Sequence, residues 1–355
     1  MAVSTGRDEV QTRAALAAWL VARTGAPSVE VGEVSIPALT GFSNETLLLD
    51  ATWDDGSGGG PQPRGLAVRV EPSGHQVFPS TAFDAQVEVL RALWKEGSVP
   101  VPEVLWFEED RSILGDRFVA MAKVDGQVPA DNPSYHAEGW LPALDEAGRA
   151  MVWTSGLDAM AAIHRLEWRA LGLDWLAPKT PAEQLELDRA YRRFAVGDRP
   201  FPVVDHALDL LASALPPPCE DPALCWGDAR IGNMIFAADG TVAAVLDWEM
   251  VTAGDPVQDL AWYLLLDRHH HEGFGVPRLA GLPDRAASIA RWEAAAGRSA
   301  EHLGWYELLG AARYAAILTR VMELLDASGL LPGAAEMALD HTGSALLERL
   351  LDERH

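Results

Sequence analysis

Two short apolar runs, 234–236 and 242–246, flank Asp239–Gly240 in a stretch that is otherwise helical in spacing from about Trp140 onward. Asp-Gly between apolar runs signals a hairpin, because both residues tolerate the positive φ of a tight turn. The chain before Trp140 reads differently. Helical spacing over 10–22 gives way to alternation over 29–36, then to a turn and a β-rich run ending near Trp53. Further strands are expected over 65–70, 104–108 and 117–124, with a helix over 81–96 between them. Strands first and helices afterwards describe an α+β protein with a small mixed lobe and a large, mainly helical one. The turn signal Val124-Asp-Gly126 puts the boundary between lobes 1–124 and 125–355. No internal repeat is present.

Length and charge narrow the functional classes. At 355 residues the chain is long enough for two lobes, each with its own core. Its 52 acidic and 28 basic residues leave a net charge of −24, a field that repels nucleic acid and anionic lipid and favours a cationic small substrate. Acidity for solubility alone explains the same number equally well. No apolar run is long enough to span a membrane, and the start Met-Ala-Val-Ser-Thr-Gly-Arg lacks the pattern of a signal peptide. Cys219 and Cys225 suit neither a zinc site nor a disulfide framework, so reduced thiols and a cytoplasmic location are expected. The glycine run 56–60 is followed by Pro61-Gln-Pro63 rather than a Lys-Ser or Lys-Thr pair, so it reads as a connection between strands and not as a phosphate loop.

The informative segment is Leu224-Cys-Trp-Gly-Asp-Ala-Arg-Ile-Gly-Asn-Met-Ile-Phe236, continuing to Asp247-Trp-Glu249. The hairpin brings Asn233, just before its first strand, to Asp247, at the end of its second. Asp228 lies on the loop leading in. Two carboxylates and an amide oxygen at one end of a hairpin are hard ligands of the kind magnesium takes, its shell completed by water and substrate phosphates. Asp and Asn are also frequent at loop ends and helix caps, which accounts for each residue singly but not for the ordered trio.

Asp228-x-x-x-x-Asn233 followed by Asp247 resembles the catalytic loop and metal-binding aspartate of protein kinases. Gly227 before it and Trp248–Glu249 after it narrow the resemblance to the aminoglycoside phosphotransferases and related small-molecule kinases. Trp226 stands where that family usually has histidine, a change expected to affect packing rather than chemistry. The resemblance covers the chain from about Leu39 and implies a bilobal protein-kinase-like fold. It further implies that Asp228 is the catalytic base, that Asn233 and Asp247 hold Mg2+, and that Arg230 places a cation against the transferring phosphoryl group. In the first lobe, Ala67-Val-Arg-Val70 resembles the strand that normally supplies a phosphate-binding lysine. Arg69 stands there, and it can bind phosphate bidentately. The usual glutamate partner on the next helix is replaced by Gln86. Gly41-Phe-Ser-Asn-Glu-Thr46 resembles the nucleotide-covering turn, with backbone amides of Phe42, Ser43 and Asn44 facing phosphates. The strand 118–126 resembles the one that meets adenine through the backbone of Met121, Ala122 and Lys123.

Other polar residues read as structural. Asp255 before Pro256 is an expected helix cap, and Asp259 resembles the family aspartate that braces the catalytic loop. His269, His270 and His271 are consecutive and so share no face for a metal. His164 is expected to be packed. The resemblance implies an ATP- and magnesium-dependent phosphotransferase, with GTP equally compatible, acting on a hydroxyl of a small molecule. An antibiotic such as an aminoglycoside is the family's best-known acceptor, and a metabolic alcohol is the alternative. Arg69, Gln86 and Trp226 motivate a second class, a non-catalytic kinase-like nucleotide-binding module. A protein kinase is disfavoured because neither Asp-Phe-Gly nor Ala-Pro-Glu is present. Nothing in the sequence specifies an oligomeric state.

Overall fold

The computed structural model describes residues 7–36, 45–72 and 76–354. By its contacts the chain divides into two units. One comprises the described residues up to Gln76 together with Pro102–Asp125, and the other Val77–Val101 with the described residues from Gly126 onward.

In the first unit, helix α1 (Glu9–Thr24) begins at Asp8, whose side chain accepts from the Gln11 N–H at 3.0 Å, and ends at Gly25 in the left-handed conformation. Five strands follow: β1 (Val29–Val31), β2 (Glu45–Trp53), β3 (Gln62–Val70), β4 (Val104–Glu108) and β5 (Phe118–Ala122). They form one sheet in the order β1-β2-β3-β5-β4, antiparallel throughout. Leu47, Leu49, Ala51 and Trp53 of β2 alternate inward with Leu66, Val68 and Val70 of β3, and together with Leu16, Trp19 and Leu20 of α1 they make the core. That alternation leaves Ala67 and Arg69 on the opposite face, where the register pairs Ala67 with Met121 and Arg69 with Thr46 and Val119. The glycine run is the β2–β3 loop, closed by the pairing of Trp53 with Gln62. The strand expected over 29–36 is shorter than its pattern. Its ladder ends at Val31, and Ser35 makes only an isolated bridge to Leu48.

The second unit holds α2 (Phe83–Glu96), α3 (Glu146–His164), α4 (Pro181–Val196), α5 (Pro202–Ser213), α6 (Val257–Arg268), α7 (Arg285–Ala296), α8 (Leu303–Ala327) and α9 (Thr342–Asp352). The expected hairpin is present as β7 (Met234–Phe236) and β8 (Val242–Val245), its turn tied by the Thr241 N–H to Asp239 Oδ1 at 3.0 Å. A second ladder, β6 (Ala223–Cys225) with β9 (Thr252–Gly254), has no counterpart in the sequence reading. The boundary expected after residue 124 also assigned 77–101 to the first lobe, whereas its contacts lie in the second unit. Tyr191 donates to the Val77 carbonyl at 3.0 Å, and the Val245 N–H donates to the Pro100 carbonyl at 2.8 Å. Among the described residues no helix is long and apolar enough to cross a membrane. Cys219 and Cys225 are free thiols.

At the end of β4, buried Glu108 accepts from Trp19 Nε1 at 2.7 Å, from the Asp110 N–H at 2.9 Å and from Arg23. Burial opposes its charge, but the hydrogen bonds from Arg23, Asp110 and Trp19 outweigh burial and hold its carboxyl down at about 2. A depressed carboxyl stabilises the fold fully above its unfolded value of 4.5, and that stabilisation is lost as pH falls toward 2. Glu108→Gln is therefore expected to cost about 1–2 kcal/mol at neutral pH. The gap to wild type should narrow between pH 4.5 and 2. Thermal melts of both proteins across that range check it, and a gap independent of pH would refute it.

Candidate active site

Two nested ladders fix the loop that carries Asp228. The outer one, β6–β9, pairs Cys225 with Thr252, and inside it the β7–β8 hairpin continues as the Leu246 N–H bonds the Asn233 carbonyl at 2.8 Å. The loop enters through Gly227 at φ 93°, where a Cβ would lie 2.1 Å from the Met250 carbonyl oxygen, so only glycine fits. From the first turn of α6, Asp259 accepts the Trp226 N–H at 2.6 Å and the Gly227 N–H at 2.9 Å. Its Oδ2 also meets His164 Nε2 at 3.0 Å. Trp292 Nε1 approaches His164 Nδ1 at 3.0 Å, and indole is donor-only, so Nδ1 accepts and Nε2 carries the proton toward Asp259. Asp259 and His164 thus brace the loop and are wholly buried.

The Asp228 carboxylate is held by three donors. Its Oδ1 accepts from Trp262 Nε1 at 2.8 Å, and its Oδ2 from Asn233 Nδ2 at 2.6 Å and Arg230 Nε at 3.2 Å. Because Asn233 commits its amide N–H groups to Asp228, its Oδ1 makes no hydrogen bond among the described residues. Asp247, one residue past Leu246, sits at φ 55°, a conformation uncommon outside glycine and most accessible to Asp and Asn. Such backbone strain clusters at functional sites. Trp226 Nε1 donates to the carbonyls of Leu246 and Asp247 at 2.8 and 3.1 Å. The tryptophan that replaces the usual histidine therefore ties the loop to the Asp247 backbone as well as filling space.

Arg230 also donates to Asp131, a residue the sequence reading did not single out. Burial opposes its charge, but the carboxylates of Asp131 and Asp228 outweigh it and raise its pKa further. Its Nε and Nη1 are engaged, and Nη2 makes no hydrogen bond among the described residues.

In the first unit Arg69 is half-buried on β3. The N–H groups of Ala122 and Lys123, expected to meet a base, are taken by the carbonyls of Glu103 and Gly65 at 2.9 and 3.0 Å. The Val124 N–H has no partner among the described residues. Lys123 Nζ lies 3.5 Å from Asp50, and Met121 is buried in β5. Phe42, Ser43 and Asn44 lie outside the described residues. In the second unit Gln86 is buried, its Nε2 donating to the Thr81 carbonyl at 2.8 Å. Asp255 accepts from the Val257 N–H at 3.0 Å one residue earlier than a regular cap, because α6 begins after Pro256.

A donor set of one carboxylate and one amide oxygen, Asp247 and Asn233, suits magnesium, which keeps several ligands from water and phosphate. Among the described residues no group of three or more His, Cys, Asp or Glu side chains gathers for a metal. His269 and His270 diverge on a π-helical turn. His269 meets Thr342 and Tyr314, while His270 faces Asp131.

The model of the phosphotransferase enzyme family (APH) matches residues 41–296. Among curated proteins, acyl-CoA dehydrogenase family member 11 of Gallus gallus is 30% identical over 241 residues, covering 67% of this chain and 29% of that protein. Probable acyl-CoA dehydrogenase IBR3 of Arabidopsis thaliana is 27% identical over 268 residues, covering 70% and 30%. The chain thus spans under a third of the length of these relatives. A crystal structure from Ralstonia eutropha, assigned provisionally as an aminoglycoside phosphotransferase, superposes with a TM-score of 0.68 at 24% identity, covering 95% of this chain and 98% of that one. Macrolide 2'-phosphotransferase type I gives 0.60 at 18%, covering 95% and 97%. Aminoglycoside phosphotransferase APH(4)-Ia, in ternary complex with AMP-PNP and hygromycin B, gives 0.56 at 16%, covering 94% and 98%. These likenesses establish the kinase-like α+β fold.

Trp226→Phe keeps a ring in the buried space and removes the donor to two carbonyls. It should cost about 1–2 kcal/mol of stability, read as a lower denaturant midpoint at unchanged slope. An unchanged midpoint would show that the indole acts by volume alone.

Proposed function

The chain belongs to the phosphotransferase enzyme family, and from that premise we propose that it transfers the γ-phosphoryl group of ATP to a hydroxyl of a small molecule. The observation that carries the reading is the three-donor fixation of Asp228 beside Asn233 and the Asp247 backbone. A general base must be held in one orientation, and this carboxylate keeps acceptor capacity beyond its three bonds. Asp228 takes the proton of the acceptor hydroxyl as that oxygen bonds to phosphorus and the bond to the ADP oxygen breaks. Arg230 Nη2 offers a donor to the phosphoryl oxygens, whose charge must be balanced throughout. Asn233 and Asp247 hold Mg2+, which when bound neutralises phosphate charge. Arg69 binds phosphate, and the Val124 N–H meets the base in place of those of Ala122 and Lys123. GTP is the alternative donor, since one solved neighbour is a GDP complex.

For the acceptor, one observation favours a metabolic alcohol over an antibiotic. The curated relatives at 27–30% identity are named as acyl-CoA dehydrogenases, whereas the neighbour in complex with hygromycin B is 16% identical. A hydroxylated acid or its thioester is the class those names point to, although the net charge of −24 opposes the more anionic thioester.

The deciding experiment incubates the protein with ATP, magnesium and three acceptor panels: aminoglycosides and macrolides, hydroxy acids, and hydroxyacyl thioesters. Mass gain of one phosphate in the second or third panel is expected. Gain in the first alone overturns the acceptor assignment, and no gain anywhere favours a non-catalytic nucleotide-binding module. Asp228→Asn should lower turnover by about 10²–10⁴-fold while leaving stabilisation by nucleotide in place, and near-normal turnover would remove Asp228 from the role. Nucleotide should raise the melting temperature more with magnesium than with chelator. Asp247→Ala should abolish that difference, and a difference equal to wild type would refute the metal assignment.

A further inference from the structure

The two carboxylate oxygens of Asp228 are not equally committed. Oδ2 accepts from Asn233 Nδ2 and Arg230 Nε, one donor for each of its lone pairs. Oδ1 accepts, among the described residues, from Trp262 Nε1 alone, at 2.8 Å. One lone pair of Oδ1 is therefore left to take a proton, and the indole N–H on the other sets the direction in which it points.

The indole is seated by one face of α8, on which residues 310, 313 and 314 lie together at helical spacing. Tyr314 meets the Trp262 ring edge-on, with centroids 5.9 Å apart at 90°. The Arg313 guanidinium stands 6.0 Å from the ring centroid, the outer reach of a cation–π contact. Asp188 of α4 fixes that guanidinium through hydrogen bonds of 2.6 and 2.9 Å. Burial opposes the charge of Arg313, and the Asp188 carboxylate outweighs burial and raises its pKa. Gly310 completes the seat. A Cβ there would lie 3.3 Å from Leu265 Cδ2 and 3.4 Å from Trp262 Cε3, so α8 comes this close because no side chain intervenes. Cε3 lies on the opposite side of the indole from Nε1. Pressure from α8 at Gly310 would therefore be felt by the N–H that bonds Asp228.

We propose that Oδ1 is the oxygen of Asp228 that takes the acceptor proton, that Trp262 is the positioning residue that aims it, and that Trp262 is held in place by the close approach of α8 at Gly310. The acceptor O–H breaks toward Oδ1 as its oxygen bonds phosphorus and the ADP oxygen leaves with its electron pair. That proton transfer rests on the phosphotransferase reading, whereas the seat of the indole does not. Packing alone accounts for a buried ring at Trp262. It does not account for an indole donor placed on the one carboxylate oxygen that keeps a lone pair free.

The seat is tested by nitrogen–proton correlation spectra of the full chain, which need no activity. Of the 13 tryptophans, Trp262 is identified by the indole cross-peak that Trp262→Phe removes. A charge-assisted bond to a carboxylate places that cross-peak downfield. It should move upfield in Asp228→Asn and shift in Gly310→Ala, and a cross-peak unmoved by either substitution overturns the proposal. The aiming of Oδ1 is read from magnesium-dependent ATP hydrolysis, with water as the acceptor. Trp262→Phe should lower kcat by roughly tenfold, the kinetic equivalent of one hydrogen bond, with the KM for ATP unchanged. Gly310→Ala should lower it by about threefold, for a displacement of a few tenths of an ångström. Trp262→Phe combined with Asp228→Asn should be no slower than Asp228→Asn alone, because both act through one carboxylate. A mere loss of folded protein would instead multiply the two losses, and that outcome, or an unchanged kcat in Trp262→Phe, overturns the positioning role. If Trp262→Phe does not fold, Gly310→Ala decides, and unchanged kcat with unmoved indole cross-peaks refutes the proposal. A wild type without turnover toward water or any acceptor panel removes the base at Oδ1, while the spectra still decide the seat of Trp262.

Discussion

The carboxylate of Asp259 holds the second unit to its chemistry. A charge with 0% exposure is costly unless every lone pair finds a donor. This one meets the N–H groups of Trp226 and Gly227 and the ring of His164. The donors come from the loop that carries Asp228 and from the end of α3, and Trp292 of α7 closes the arrangement through His164. Three helices and one loop therefore share a single satisfied charge. None of them can shift without leaving it unpaired.

Helix α6 extends that control along its length. Asp259 meets the loop backbone, Trp262 bonds Asp228, Tyr263 lines a small cavity, and Asp267 takes Tyr135 and Arg278. Positions 259, 262, 263 and 267 recur at the three- and four-residue spacing of one helical face, so a single rigid element indexes the loop at successive heights. The π turn that follows carries His270 onto the same region beside Asp131. Its extra residue changes which side chain faces inward, and π turns recur at functional sites for that reason.

What the sequence made legible was local. The Asp239–Gly240 turn, the alternation of β2 and β3 and the helical spacing of α1 and α2 are written in near neighbours, and each element forms close to where its pattern lies. The hairpin register that brings Asn233 to Leu246 does not follow from that turn alone, because a bulge at Ala243 lets Phe236 pair with Val242 but Ile235 with Ala244. The β6–β9 ladder was not legible, because two three-residue strands at 223–225 and 252–254 carry too little periodicity to announce a pairing. Asp131 was hidden by separation. It stands 99 residues before Arg230 in a loop, and a lone Asp there matches any turn. The helix α2 was foreseen, but its membership in the second unit depends on Tyr191 and Val245, which local pattern does not encode.

Trp226 marks where reasoning from residue type alone falls short. The exchange of histidine for tryptophan looks like a matter of volume, and the indole is indeed buried. Its single N–H nevertheless bridges the carbonyls of Leu246 and Asp247, while its backbone N–H is held by Asp259. One residue therefore connects the brace beneath the loop to the backbone of the aspartate at the hairpin's end. Asp247 adopts φ 55° there, a conformation that persists only when its surroundings over-determine it. The indole supplies part of that determination. The exchange therefore brings a hydrogen bond to the Asp247 backbone as well as volume.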